Sequence, residues 1–124
     1  MAGELILIIE DNDKNLKLVR DLLQFNGYET AEAMTAEDGL VLARSQRPVL
    51  ILMDIQLPGM DGFAALRQLR ADPITKSTLV IAVTASAMER DRQKILEAGF
   101  NGYLTKPIQV KAFTEEIRTI LAKR

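Results

Sequence analysis

The chain of 124 residues contains no cysteine and no histidine. The first absence excludes disulfides, thiolate nucleophiles and sulfur-ligated metals. The second removes the commonest general base and the commonest metal ligand. Tryptophan is also missing, and only two tyrosines, Tyr28 and Tyr103, are present. No apolar run approaches the ~20 residues of a membrane-spanning helix. The opening "MAGELILII" has no basic flank or cleavage site, so no signal peptide is expected. Sixteen Lys and Arg against seventeen Asp and Glu leave a net charge of -1. That balance offers no electrostatic footprint for nucleic acid. A cytoplasmic protein with no direct DNA binding and no membrane insertion is expected. Its chemistry must run on carboxylates, hydroxyls, lysines and a borrowed ion. The length predicts a single domain over residues 1–124, with no appended output domain.

Two periodicities alternate along the chain. "LILII" (Leu5 to Ile9), "VLILMD" (Val49 to Asp54) and "LVIAVT" (Leu79 to Thr84) are continuous apolar runs, as expected of strands buried on both faces. "YETAEA" (Tyr28 to Ala33) reads as a weaker edge strand, and "GYLTK" (Gly102 to Lys106) as a short one. Between them lie helical stripes: Leu16, Val19 and Leu23; Ala36, Leu40 and Ala43; Phe63, Leu66 and Leu69; the segment from Met88 to Ala98; and Phe113, Ile117, Ile120 and Leu121. Thr35 suits a helix N-cap, and Gly27 and Gly99 suit left-handed C-terminal caps. Five strands alternating with five helices predict an α/β domain, a parallel sheet covered by helices on both faces.

In such a sheet, ligands bind beyond the carboxyl ends of the strands. The first strand runs into Glu10-Asp11, the third ends in Asp54, the fourth in Thr84 and the fifth in Lys106. Each has an ordinary reading taken singly. "EDND" can be an acidic helix start, Asp54 a turn cap, Thr84 a strand residue, Lys106 a solvated lysine, and "GMDG" a turn. Their coincidence at successive strand ends predicts one pocket. Three crowded carboxylates repel unless a cation joins them, and Mg²⁺ suits an all-oxygen ligand set. Asp54 is then placed as a nucleophile toward phosphorus, with Lys106 and the metal neutralising the transferred group and Thr84 donating a hydroxyl to it.

The motifs "LILMDIQLPGMDG", "VTA" (Val83 to Ala85) and "GYLTKP" (Gly102 to Pro107) together resemble the receiver domains of bacterial response regulators, the CheY-like family. Thr84 lies 30 residues and Lys106 52 residues after Asp54, which is the family's spacing. The resemblance implies a (βα)5 flavodoxin-like, doubly wound sheet of strand order 2-1-3-4-5. It also implies roles. Asp54 is the phosphoacceptor, and Asp11 and Asp54 bind Mg²⁺ directly. Glu10 binds it through water, and the backbone carbonyl of Gln56 is a further ligand. Thr84 and Lys106 contact the phosphoryl group, and Tyr103 pairs with Thr84 as the switch. The Lys106-Pro107 bond is expected to be cis. The finer pattern resembles receivers of phosphorelays and stand-alone cell-cycle regulators. The implied partners are a sensor histidine kinase or histidine phosphotransfer protein, and a downstream target. The latter would be met through the face of the fourth helix, fifth strand and fifth helix, with Ala87, Met88, Tyr103, Ile108 and Val110 as candidate contacts. The phosphoryl donor must be another molecule, because this chain has no histidine.

Three other readings compete. One is a receiver-like interaction module that is never phosphorylated; the intact acid set argues against it. Another is an aspartate-nucleophile phosphatase, which usually carries a second Asp two residues after the nucleophile, where this chain has Gln56. A flavin or nucleotide carrier is weaker, because no phosphate-binding loop follows the first strand. An enzyme acting on an external substrate is therefore not expected.

Overall fold

A computed structural model describes residues 3–123. Five parallel strands form one sheet: β1 (Leu5–Ile9), β2 (Glu29–Ala33), β3 (Leu50–Asp54), β4 (Leu79–Thr84) and β5 (Gly102–Thr105). The helices alternate with them: α1 (Asp13–Phe25), α2 (Ala36–Gln46), α3 (Gly62–Ala71), α4 (Glu89–Ala98) and α5 (Val110–Ala122). The sheet order is β2-β1-β3-β4-β5, as the sequence implies. Among the described residues, no helix is long and apolar enough to cross a membrane.

Alternation along the strands builds two cores. Leu7, Ile9, Ile51 and Met53 face α2, α3 and α4 through Ala43, Leu66 and Ile95. Ile6, Ile8, Leu50 and Leu52 face α1 and α5 through Leu16, Leu23, Phe113 and Ile117. The three central strands are buried on both faces, hence their unbroken apolar runs.

The boundaries follow local chemistry. Asn12 accepts the backbone N–H groups of Lys14 and Asn15, starting α1, and Thr35 accepts that of Asp38, starting α2. Gly27 and Gly99 take positive φ just beyond α1 and α4. Two expectations shift. β2 begins at Glu29, because Tyr28 spends its N–H on Leu23 at the end of α1. In α2 Gly39 joins the buried stripe, with Leu40 partly buried against the same core, because Ile9 presses against the helix there; a Cβ on Gly39 would lie 2.4 Å from Ile9 Cδ1.

The Arg70 guanidinium joins three segments at the sheet edge remote from the acidic residues. It donates to the carbonyls of Lys76 and Thr78 before β4, to the carbonyl of Gly99 and to Asn101 Oδ1 beyond α4. Asn101 Oδ1 also accepts the Val80 N–H.

The loop from β3 to α3 is a turn closed by backbone contact. Gly59 has φ +76°, Asp61 caps α3 by accepting the Ala64 N–H, and the Gly62 N–H donates to the Ile55 carbonyl. A Cβ on Gly62 would lie 2.6 Å from Ile55 Cα. Gly62→Ala must therefore displace backbone next to Asp54, with an expected loss of about 1–3 kcal/mol in stability. Urea unfolding measures it; an unchanged midpoint would mean that the loop yields freely.

Candidate phosphoacceptor site

The carboxyl ends of β1, β3, β4 and β5 meet at one edge, because adjacent parallel strands in register place their C-termini side by side. Asp54, the last residue of β3, is 4% exposed, and Glu10 just past β1 is also 4% exposed. Asp11 beside it lies open to solvent. One carboxylate oxygen from each of Glu10, Asp11 and Asp54 lies within 4.8 Å of the others. Three hard anionic oxygens at that spacing fit a small divalent cation, so the donor set agrees with the Mg²⁺ expected from sequence.

Each buried acid is held by the chain around it. Asp54 Oδ1 accepts the Gln56 N–H at 2.9 Å, and Asp54 Oδ2 accepts Lys106 Nζ at 2.8 Å. The same ammonium lies 3.3 Å from Glu10 Oε1. Glu10 Oε2 accepts the Asn12 N–H, and the Glu10 N–H extends the β1–β2 pairing to the Ala33 carbonyl. Lys106 falls one residue beyond β5, yet its N–H donates to the Thr84 carbonyl at 2.8 Å, which carries the β4–β5 pairing past the strand end. The Lys106-Pro107 bond is cis.

The electrostatics follow from this crowding. Burial pushes the Glu10 carboxyl up from 4.5 to about 7, and the hydrogen bond and charge of Asp54 add to the rise. Burial opposes the charge on Lys106, but Asp54 and then Glu10 outweigh it and hold the lysine above its ordinary value. Lys106 is thus a fixed cation between two acids. A carboxylate nucleophile flanked by such a cation, on an edge open to solvent at Asp11 and Gln56, suits acceptance of a phosphoryl group.

Thr84 ends β4, is 2% exposed, and accepts the Ser86 N–H on Oγ1 at 3.1 Å. Tyr103 on β5 is half-buried, with the Arg92 guanidinium 5.4 Å from its ring centroid. The structure gathers Glu10, Asp11, Asp54 and Lys106 directly, with the Gln56 backbone against Asp54. Thr84 and Tyr103 sit on neighbouring strands, with Ala82 in register with Tyr103. Sequence reading did not find Ser86, Asp91 and Arg92, which surround these two residues at the start of α4. No periodic pattern announces them, since they meet through the fold of the β4–α4 loop.

Comparison with known proteins agrees with this geometry. A family model described as the response regulator receiver domain matches residues 6–118. The polar-differentiation response regulator DivK of Brucella anthropi is 45% identical over 116 residues, covering 94% of either chain. The solved receiver domain of sensor histidine kinase PA1611 from Pseudomonas aeruginosa has a magnesium ion coordinated in its active site cleft. It matches with a TM-score of 0.89 at 34% identity, over 98% of this chain and 99% of that one. A CheY-like receiver domain protein from Methanospirillum hungatei matches with a TM-score of 0.87 at 30% identity, over 98% and 95%. With a family model spanning all five strands, this chain belongs to the response regulator receiver domains, the signalling family that its motifs resemble.

Proposed function

We propose that this receiver is a single-domain switch of a phosphorelay, charged at Asp54 by a partner histidine. The observation that carries this reading is the buried Asp54 carboxylate, held at 2.8 Å by Lys106 beside Glu10 and Asp11. An Asp54 oxygen forms the new P–O bond as the donor's P–N bond breaks, and the electron pair returns to the imidazole nitrogen. Lys106 stays within reach of the transferred group and balances its charge, while the Gln56 N–H fixes the carboxylate for attack. Bound Mg²⁺, held by Asp11, Asp54 and the Gln56 carbonyl with Glu10 through water, would neutralise phosphoryl oxygens. The same groups assist hydrolysis of the acyl phosphate, so the protein turns over its own phosphate and no external substrate.

Output runs through Thr84 and Tyr103. The Thr84 hydroxyl moves toward a phosphoryl oxygen, Tyr103 follows inward, and phosphate favours the inward state of one two-state equilibrium. A groove of about 560 Å³ runs between α4, β5 and α5, lined by Arg92, Tyr103, Ile108 and Glu116 among others. With the exposed Met88 and Val110 beside it, it is the proposed face for a downstream target.

Incubation with Mg²⁺ and acetyl phosphate should add one phosphoryl group, read by intact mass and released by hydroxylamine. In ring-labelled protein the Tyr103 NMR signal should then move strongly and that of Tyr28 little, and Thr84→Ala should blunt the movement. An unmoved Tyr103 signal at full occupancy would reject this output and leave a receiver read from another face.

A further inference from the structure

Both switch residues are tied to one turn of α4 by contacts outside the acidic pocket. Met88, the N-cap of α4, offers no capping side chain. Ser86 takes that role: its hydroxyl accepts the Met88 N–H at 3.3 Å and donates to Asp91 Oδ2 at 2.5 Å. In an ordinary capping box an acid three residues into the helix reaches the N-cap amide itself. Here a serine hydroxyl is inserted between the two. The backbone of that serine is the group bonded to Thr84, through the 3.1 Å contact from its N–H to Thr84 Oγ1. The next residue after Asp91, Arg92, lies over the Tyr103 ring. Elsewhere α4 buries only Ile95, so little else fixes its first turn to the sheet.

We propose that Ser86 and Asp91 form a latch on the unphosphorylated state, holding Thr84 back from the phosphoryl position while the neighbouring Arg92 holds Tyr103. The proposal rests on the reading of Thr84 as the hydroxyl that meets the phosphoryl group. In this latch, movement of Thr84 Oγ1 toward that group breaks its bond from the Ser86 N–H. The vacated amide then has to find another partner, and the serine that caps α4 is disturbed with it. A charge-assisted hydrogen bond between Ser86 and Asp91 opposes that disturbance. Movement of the loop and release of Tyr103 are therefore one event, because Asp91 and Arg92 are adjacent on one turn. Ser86 and Asp91 are positioning residues: they act through Thr84 and touch no reacting atom.

The competing explanation is a helix cap that does nothing but stabilise α4. The two are separated in the full chain by Ser86→Ala, Ser86→Thr and Asp91→Ala, each alone and with Thr84→Ala. Without any phosphodonor, the Tyr103 signal of Ser86→Ala and Asp91→Ala should lie part of the way to its phosphorylated position. The rate of acyl phosphate formation from acetyl phosphate and Mg²⁺ should rise on the order of fivefold, the size of a modest coupling between sites. Ser86→Thr, which keeps the hydroxyl, should restore wild-type behaviour, and Ser86→Ala combined with Asp91→Ala should exceed neither change alone. On the Thr84→Ala background the rate increase should vanish. A folded Ser86→Ala protein with wild-type Tyr103 signal and rate would overturn the latch, as would a rate increase that survives Thr84→Ala. Should Ser86→Ala not fold, Asp91→Asn carries the test: it keeps the shape, removes the charge, and should move both readouts the same way by less. Failure of the underlying reading looks different, since the wild-type Tyr103 signal would then stay in place at full phosphoryl occupancy, or its movement would survive Thr84→Ala.

Discussion

Replacing Asp54 with asparagine should abolish phosphoryl uptake while the fold persists. An amide has no anionic oxygen to attack phosphorus, and among the described residues no other carboxylate apart from Glu10 is both buried and paired with Lys106. Glu10 is a poor substitute. Its pKa near 7 leaves it partly protonated at neutral pH, and its Oε2 is committed to the Asn12 N–H. The fold should survive, because an asparagine oxygen still accepts the Gln56 N–H and Lys106 keeps Glu10 as partner. Intact mass after acetyl phosphate and Mg²⁺ reads the result. One hydroxylamine-labile phosphoryl group on Asp54→Asn, at the wild-type yield, would assign the nucleophile to another residue.

Magnesium should raise the melting temperature, and more at pH 8 than at pH 5.5. Glu10 is the reason. Its carboxyl is raised from 4.5 to about 7 in the folded protein, so the fold prefers it protonated. Its contribution to the metal-free protein is complete below about pH 4.5 and is lost as the pH rises through about 7. Metal demands the carboxylate and reverses that trend by binding the folded state, worth about 2.7 kcal/mol at a hundred times the dissociation constant. Asp11→Asn removes the exposed donor and one of three crowded charges. Without metal it should match or exceed the wild type in stability, and it should lose most of the Mg²⁺ response. Thermal unfolding with Mg²⁺ or a chelator at both pH values tests this. A full response in Asp11→Asn would move the metal away from this pocket.

The fold was readable wherever burial is symmetrical. β1, β3 and β4 announce themselves because a strand covered on both faces has no polar side, and α1 and α5 because their stripes meet a flat apolar sheet. The gathering of Glu10, Asp11, Asp54 and Lys106 was readable as well, since parallel topology alone puts strand ends together. Finer geometry was hidden. The start of β2 depends on whether Tyr28 bonds to α1 or to the sheet, and the Gly39 contact depends on the rotamer of Ile9. The Ser86–Asp91 pair and the Arg92–Tyr103 stack depend on the path of a loop, which periodicity does not encode. The rise in the Glu10 pKa needs its depth in the protein, which sequence position does not give.

The Arg70 cluster has a mechanical consequence. By gripping Gly99 and Asn101 it anchors the C-terminal end of α4, opposite the end held by Ser86 and Asp91. Once the latch at its first turn is released, this helix of ten residues is a lever about 15 Å long, held at its far end. Tilting such an arm by about 10° carries its free end roughly 2.6 Å, at the 1.5 Å rise per residue of an α-helix, and leaves the fulcrum still. Displacement is thus amplified toward Glu89 and falls to nothing at Gly99. The wall of the neighbouring groove must open as a wedge, wide at Arg92 and closed at Asn101.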